Sequence, residues 1–210
     1  MANPNGLGQP VRRVEDARFI TGNGRYTDDI NRHGQTYAYF VRSPHAHATI
    51  KGIDLAEAKK APGVRAILTG KELAADKIGG LICGWMILSK DGSQMKAGGH
   101  PALAVDKVRY VGDHVAVVIA DTINQAKDAA ELVEVDYDIH KAVVDITATQ
   151  KAGQPQLHAE APNNTVYQWH LGDKAAVDAA FGNAKHVTKI DLVNNRLIPN
   201  AIEPLSLIHI

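Results

Sequence analysis

Short runs in which hydrophobic and polar residues alternate predict a series of β-strands. Residues 36–43, TYAYFVRS, alternate and are rich in aromatic and β-branched side chains, which is typical of a strand. Residues 47–54, HATIKGID, show the same pattern and predict a second strand that pairs with the first. VRAILTG, at 64–70, predicts a third strand. Gly and Pro residues separate these runs, so the strands are short and joined by turns.

Two short helices are predicted from capping signals. In DLAEAKKAPG, at 54–63, Asp54 precedes Glu57 by three residues, which is the spacing of a capping box. Pro62 and Gly63 would end that helix. In TGKELAAD, Thr69 and Glu72 have the same spacing and predict a second helix.

The next segments complete a mixed pattern of strands and helices. Glycines divide residues 76–107 into loops around one apolar run, LICGWMIL. VRYVGDHVAVVIAD, at 108–121, holds two β-rich pieces on either side of Gly112 and Asp113. DTINQAKDAAELVEVDYD, at 121–138, predicts a helix with one alanine-rich face and then a strand. Together these elements predict an α+β or α/β domain that ends near Asp145.

A new pattern begins after a polar linker. Residues 147–165 contain two prolines and no periodic apolar pattern, which predicts a linker. A helix capped by Asp173 and ended by Gly182 follows, and then a long strand, HVTKIDLVNN, at 186–195. One helix and one strand cannot bury a core, so they predict the opening of a second domain.

Composition and charge limit the classes of partner. Apolar residues make up 45% of the 210 residues, and 23 basic residues balance 23 acidic ones. Zero net charge gives no electrostatic signature of a partner, so we expect neither nucleic acid nor a membrane. The polar N-terminus does not resemble a signal peptide, and no apolar run reaches the roughly 18 residues of a membrane span. We therefore expect a cytoplasmic protein.

The most conspicuous candidate for chemistry is the histidine pair in RSPHAHATI. On a strand, His45 and His47 would share a face and could both approach one metal ion. A zinc site needs three or four protein ligands, and no Cys, Asp or Glu lies nearby at ligand spacing. His33, His100 and His114 could join them only through folding that the sequence does not show. We interpret the pair as part of the fold, with a metal site as the alternative.

Two other motifs have simple interpretations. Gly22-x-Gly24 lacks the third glycine and the strand-then-helix context of a dinucleotide fingerprint, so it predicts a tight turn. Asp28 and Asp29 form a solvated turn pair and lack a third carboxylate for calcium.

Three further side chains have packing interpretations. Cys83 has no partner for a disulfide and no adjacent base, so we expect a small buried hydrophobic residue. Trp85 and Trp169 are predicted to be packing anchors, and Trp169 could also serve an interface at the domain junction.

Six blocks occur in an order typical of one family: RVEDARFITGNGRYTDDI, RSPHAHATI, APGVRAILTG, VRYVGDHVAVVIADTINQAKDAAELVEVDYD, WHLGDKAAVDAAF and LVNNRLIPNAIEP. In these blocks the chain resembles the molybdopterin-binding large subunit of the xanthine dehydrogenase, aldehyde oxidase and aerobic carbon monoxide dehydrogenase family. The resemblance runs from about Gly8 to Pro204. His140 and Lys141 depart from it, since relatives usually carry an apolar residue and proline there, and we expect a looser turn.

The residue pattern and the resemblance together divide the chain into five parts: an extended N-terminal arm at 1–18, an α+β (α/β hammerhead) domain at 19–146, a linker at 147–165, the beginning of the first molybdopterin-binding domain at 166–204, and a tail at 205–210. Relatives continue EP with arginine and small residues, whereas this chain ends in LSLIHI. We therefore expect that tail to be non-native.

The resemblance also implies an activity for the full-length subunit. It would hydroxylate an aldehyde, a purine or other N-heterocycle, or oxidise CO, with water as the oxygen source. Molybdopterin would carry out the reaction, and electrons would pass to [2Fe–2S] clusters and FAD on partner subunits or domains. The family's cofactor and catalytic loops correspond to sequence beyond residue 204, so the resemblance assigns no catalytic, cofactor-binding or metal-binding residue to this chain. We expect the chain alone to be an inactive scaffold without molybdenum.

A different class of function remains open: a free-standing hammerhead module that binds or assembles without molybdenum. The genomic sequence downstream of these residues distinguishes the two functions. A reading frame that continues after EP with arginine would exclude the free-standing module.

Overall fold

The structure is a computed structural model that describes residues 12–195, 197, 198 and 200. These residues fall into two compact units, which we describe separately. The larger unit comprises residues 36–187, and the smaller contains the described residues of 12–35 and 188–200. No helix among the described residues is long and apolar enough to cross a membrane.

The larger unit contains two three-stranded antiparallel sheets. The strands are β1 (Tyr37–Arg42), β2 (Ala48–Asp54), β3 (Val64–Thr69), β4 (Lys107–Val108), β5 (His114–Ala120) and β6 (Glu134–Ile139). The first sheet has the order β1-β5-β3 and the second has the order β4-β2-β6. The predicted strands at 36–43 and 64–70 are thus confirmed, as is the strand after the alanine-rich helix.

The central strand β5 is buried on both faces. Val118 belongs to a cluster with Ala129 and Ala130 of the helix that covers the first sheet. Val115 belongs to a second cluster, which includes Ala48 and Val108 of the second sheet. A strand between two apolar layers needs apolar residues at successive positions, which explains the continuous run VAVVIA.

The predicted pairing of the first two strands is wrong. β1 pairs with β5, whereas β2 pairs with β4 and β6. Ser43 lies just after β1, and its backbone N–H donates to Asp113 O at 2.8 Å while its carbonyl accepts from Gly112 N at 2.8 Å. These contacts anchor the chain to the turn before β5, and the chain then passes to the second sheet. His47 lies outside the predicted strand, since β2 begins at Ala48.

Four α-helices are present among the described residues: α1 (Asp16–Ile20), α2 (Gly70–Ala75), α3 (Ile123–Glu131) and α4 (Lys174–Asn183). Thr69 and Glu72 form the predicted capping box at α2. The predicted alanine-rich face of α3 is confirmed, and it packs on the first sheet. Asp173 caps α4 by accepting from Ala176 N at 3.1 Å.

The predicted helix at 54–63 is wrong. Only a single 3-10 turn forms, at Ala58–Lys60. The Asp54 carboxylate accepts from Ala56 N at 2.8 Å, so it closes a tight turn two residues away. Asp and Asn side chains compete with helical hydrogen bonding in this way. Pro62 then follows too closely for a longer helix.

Two expectations fail in the smaller unit and at its border. Residues 16–18 of the predicted extended arm lie in α1, where Arg18 pairs with Glu15 one turn away. Arm residues 1–11 and the tail at 205–210 lie outside the described residues. The strand predicted at 186–195 does not form, because no described strand offers it a hydrogen-bonding partner. The boundaries of the five predicted parts remain predictions.

The predicted linker is folded onto the larger unit. We call residues 149–168 the strap. Ala161 in the strap is almost completely buried. The Lys96 N–H donates to Val166 O at 2.9 Å, and the Lys90 N–H donates to Gln168 O at 2.7 Å. The strap therefore contacts the loops that precede β4.

Candidate functional site

A pocket with an apolar lining and several polar side chains lies between the loop at 96–100, the turn at 109–113 and the strap. The turn joins β4 to β5, and Gly112 has φ +91°, a conformation that glycine adopts without steric cost. The sequence places three polar side chains on this turn: Arg109, Tyr110 and Asp113. The fold therefore concentrates polar groups where the two sheets meet.

Asp113 organises the turn. Its side chain is 93% buried, and its Oδ2 atom accepts from Arg109 N at 3.0 Å. Burial raises the pKa of Tyr110, and the nearby Asp113 carboxylate raises it further. The Tyr110 hydroxyl lies 3.4 Å from Nε2 of His100. This carboxylate, phenol and imidazole line one wall of the pocket.

His158 of the strap also lines the pocket. Its Nδ1 would be 2.6 Å from a Cβ placed on Gly98, so only glycine at position 98 leaves room for the imidazole. Burial lowers the pKa of His158, and the charge of Arg109 lowers it further. Arg109 donates from Nε to Leu157 O at 3.1 Å, which ties the strap to the turn.

Two imidazoles and a phenol are hydrogen-bonding groups that line the pocket. Its described lining contains no Ser, Thr or Cys that could act as a nucleophile. Across the described part of the chain, no group of three or more His, Cys, Asp or Glu side chains is arranged to hold a metal ion. The geometry therefore supports a structural role.

The two histidines weighed in the sequence have different partners. His45 packs edge-on against Tyr137, with ring centroids 5.0 Å apart. His47 is buried, and its Nδ1 lies 3.0 Å from Lys141 O, an arrangement in which Nδ1–H donates. The His47 ring also contacts His140 at 5.1 Å. Since each imidazole has its own packing partner, the structural interpretation agrees with the fold.

His140 makes contacts at the turn that we expected to be loose. Its backbone N–H donates to His47 O at 2.9 Å, and its Nε2 lies 2.8 Å from Thr49 Oγ1. The imidazole thus gives this turn one side-chain contact, and the looser turn stays a prediction.

The remaining histidines are dispersed. His33 is exposed in a turn of the smaller unit. His114 begins β5 and stacks on Phe40 at 4.6 Å, and burial lowers its pKa. His100 faces Tyr110. They do not join His45 and His47 in one cluster.

The expectations for Cys83 and the two tryptophans were wrong. Cys83 is exposed, Trp85 is 82% exposed and Trp169 is 63% exposed. These side chains lie on loops that no described residue covers. An exposed apolar surface, which we call the aromatic groove, is formed by Trp85, Met86, Ile87, Leu88, Tyr167 and Trp169. It lies beside the strap, at the position where an interface role for Trp169 was considered.

The two turn motifs behave as predicted. Gly22 lies in a turn with φ +72°. Asp29 accepts from Tyr26 N at 2.9 Å, so its carboxylate stabilises a local 3-10 turn.

Sequence reasoning missed the pocket. Arg109, Tyr110 and Asp113 are close in sequence, and the Gly112-Asp113 turn was a usable local signal. His158 and Gly98 come together only through tertiary folding, and no local pattern links them.

Comparison with known proteins agrees with the arrangement of the two sheets. The family profile "Aldehyde oxidase and xanthine dehydrogenase, a/b hammerhead domain" matches residues 21–141. The carbon monoxide dehydrogenase large chain of Afipia carboxidovorans is 36% identical over 94% of this chain and 25% of its own length. The nicotine 6-hydroxylase large subunit of Paenarthrobacter nicotinovorans is 38% identical over 87% of this chain and 21% of its own length.

A solved structure shows the same fold. The carbon monoxide-reduced Cu,Mo-CO dehydrogenase superposes with a TM-score of 0.67 at 35% identity, over 86% of this chain and 23% of that one. The chain thus spans about a quarter of the length of these relatives. With its matched sheets and helices at residues 21–141, the chain belongs to the aldehyde oxidase and xanthine dehydrogenase family and contains its a/b hammerhead domain.

Proposed function

We propose that the chain is the N-terminal part of the large subunit of a molybdenum hydroxylase and that it contributes scaffold and interface. The observation that carries this proposal is the match to large chains of CO dehydrogenase and nicotine 6-hydroxylase over most of this chain. Two sheets with two buried apolar clusters suit a scaffold role.

The pocket lined by Arg109 and Asp113 does not fit a pterin-held molybdenum centre. Of the pocket's basic side chains, Arg109 already donates from Nε and Nη1 to the carbonyls of Leu157 and Lys107. Asp113 is buried against the same turn and would repel a pterin phosphate. We therefore derive no reaction step from this pocket.

For the whole enzyme, the proposed reaction is oxidative hydroxylation of an aldehyde or N-heterocycle, or oxidation of CO, with oxygen from water. Electrons would leave through [2Fe–2S] clusters and FAD on partner subunits or domains. This chain would position the surfaces on which the other parts assemble.

Exposed apolar surface supports the interface role. Helix α4 has no buried residue, and its Val177 and Phe181 are at least half exposed. The aromatic groove adds Trp85 and Trp169. Apolar surface of this kind on a protein marks an interaction site.

A chimeric enzyme tests the proposal. Residues 21–195 would replace the matching quarter of the A. carboxidovorans CO dehydrogenase large chain. We expect the chimera to assemble with its partner subunits and to retain molybdenum. A chimera that is folded by circular dichroism but neither assembles nor retains molybdenum would contradict the scaffold role.

Two variants sharpen this experiment. Val118→Asp places a charge in the core and should abolish folding and assembly together. Val177→Asp changes only the exposed face of α4, so it should leave the fold intact and weaken assembly.

A further inference from the structure

The strap has its own internal support. The side chain of Asn164 donates from Nδ2 to Thr149 O at 3.2 Å and to Pro155 O at 3.0 Å. Its Oδ1 accepts from Leu157 N at 3.0 Å. Asn164 has φ +55°, in the left-handed region that Asn tolerates better than most residues. One side chain therefore closes the strap into a defined loop.

The strap contacts the rest of the larger unit at two places. At one end, hydrogen bonds join Lys90 and Lys96 to Gln168 and Val166. At the other end, Leu157 O accepts from Arg109 and the imidazole of His158 packs against Gly98. His158 is the strap's titratable group at this contact.

Protonation of His158 would be unfavourable in this position. Burial of the imidazole is the largest effect that disfavours its positive charge, and Arg109 on the β4–β5 turn and His100 on the facing loop add to it. Glu160, in the strap itself, favours the charge but has a smaller effect than Arg109. Lys96 and Asp113, which carry opposite charges, complete the charged lining of the pocket.

We propose that the strap is an acid-sensitive latch: neutral His158 holds it against Gly98, and protonation beside Arg109 releases it while the two sheets stay folded. The aromatic groove contains Tyr167 of the strap and Trp169 just after it. Release would therefore also separate these side chains from Trp85.

The direction of the pH dependence follows from the fold. The pKa of His158 is below its ordinary value of 6.5 while the strap is closed. The open strap then takes up a proton more readily than the closed one. At a pH above the ordinary histidine pKa, the His158 contact stabilises the closed strap fully. This stabilisation decreases as the pH falls toward the pKa that His158 has in the closed strap.

Hydrogen exchange on the whole 210-residue chain tests the latch. Exchange would be measured by mass spectrometry at about pH 7.5 and about pH 5.5, on either side of the ordinary histidine pKa, and corrected for intrinsic rates. We expect strap opening to increase severalfold at the lower pH, by at most about tenfold per pH unit for one proton. Protection of β5 should not change.

His158→Gln should remove the pH dependence of strap opening, whereas His170→Gln, a matched change outside the strap, should retain it. An unchanged pH dependence in His158→Gln, or none in the unmodified chain, would contradict the proposal.

A second readout remains informative if the glutamine variant opens the strap fully. The imidazole titration of His158, followed by NMR, should have its midpoint below the ordinary histidine value. In Gly98→Ala the added methyl group displaces the imidazole, so the midpoint should move back toward that value. A midpoint that is the same in both chains would overturn the latch.

Discussion

Strand β5 and helix α4 both carry apolar side chains, but only β5 buries them. Val115 and Val118 of β5 are completely buried and belong to two different clusters. Helix α4 buries none of its residues, although Val177 and Phe181 lie on one face. Secondary structure in α4 is thus supported by a cap and local hydrogen bonds, whereas β5 is supported by packing on both sides. The hammerhead sheets can be stable alone, and α4 has an apolar face available for a partner surface.

Replacement of a valine by aspartate in β5 and in α4 should give the largest difference in stability between the two regions. Val118→Asp buries a charge without a partner, at a cost of several kcal/mol. We expect the chain to lose its cooperative unfolding transition. Val177→Asp lies on an exposed helix face and should change the free energy of unfolding by less than about 0.5 kcal/mol.

Urea unfolding followed by far-UV circular dichroism measures both effects. Equal destabilisation by the two variants would show that α4 is packed as tightly as β5.

In its packing, the strap is intermediate between β5 and α4. Variants of Asn164 test how strongly its hydrogen bonds hold the strap closed. Asn164→Ala removes three hydrogen bonds and places alanine at positive φ, so the strap should lose about 1–3 kcal/mol. Asn164→Gly removes the same bonds but permits the backbone conformation. Limited proteolysis should cleave the strap fastest in the alanine variant, more slowly in the glycine variant and slowest in the unmodified chain. Equal cleavage of all three would contradict this role.

The elements that sequence reasoning predicted are those controlled by near neighbours. Thr69 and Glu72 predicted α2 because a capping box acts within one turn. The alanines of α3 predicted its buried face through helical periodicity.

The failures depend on distant residues. The backbone bonds of Ser43 to Gly112 and Asp113 hold the chain at the point where it leaves the first sheet, so β2 pairs in the second sheet. The position of His158 depends on Gly98. Trp85 was predicted to be buried because hydrophobicity indicates burial without showing which surface covers it.

A smaller effect is expected at the cap of α2, which belongs to the packed region. Thr69→Ala should lower the free energy of unfolding by about 1 kcal/mol, and Thr69→Ser should retain most of it. The hydrogen bond from Thr69 lowers the pKa of Glu72, so this contribution is present above the ordinary carboxyl pKa. It is lost as the pH falls through the lowered value.

Urea unfolding at several pH values measures this contribution. Thr69→Ala should show a smaller loss of stability on acidification than the unmodified chain, and an identical pH profile would contradict the assignment.

The smallest effects should come from exposed ion pairs in each region. Arg65 donates to Asp121 from Nε at 2.6 Å and Nη2 at 3.0 Å, and Lys174 pairs with Asp178 at 2.5 Å on α4. Both pairs are exposed and screened by solvent, so Arg65→Ala and Lys174→Ala should each lower the free energy of unfolding by less than Thr69→Ala does. Double-mutant cycles with Asp121→Ala and Asp178→Ala measure the two coupling energies. A coupling larger than the effect of Thr69→Ala would show that one pair is more shielded than the fold indicates.

The central claim is that the hammerhead sheets form a self-sufficient core, whereas α4 has no packing partner among the described residues. Hydrogen exchange followed residue by residue by NMR tests it directly in the whole chain. We predict that the amides of β5 exchange only through global unfolding, and that the amides of α4 exchange through local opening at much lower free energy. Equal protection of β5 and α4 would contradict the account.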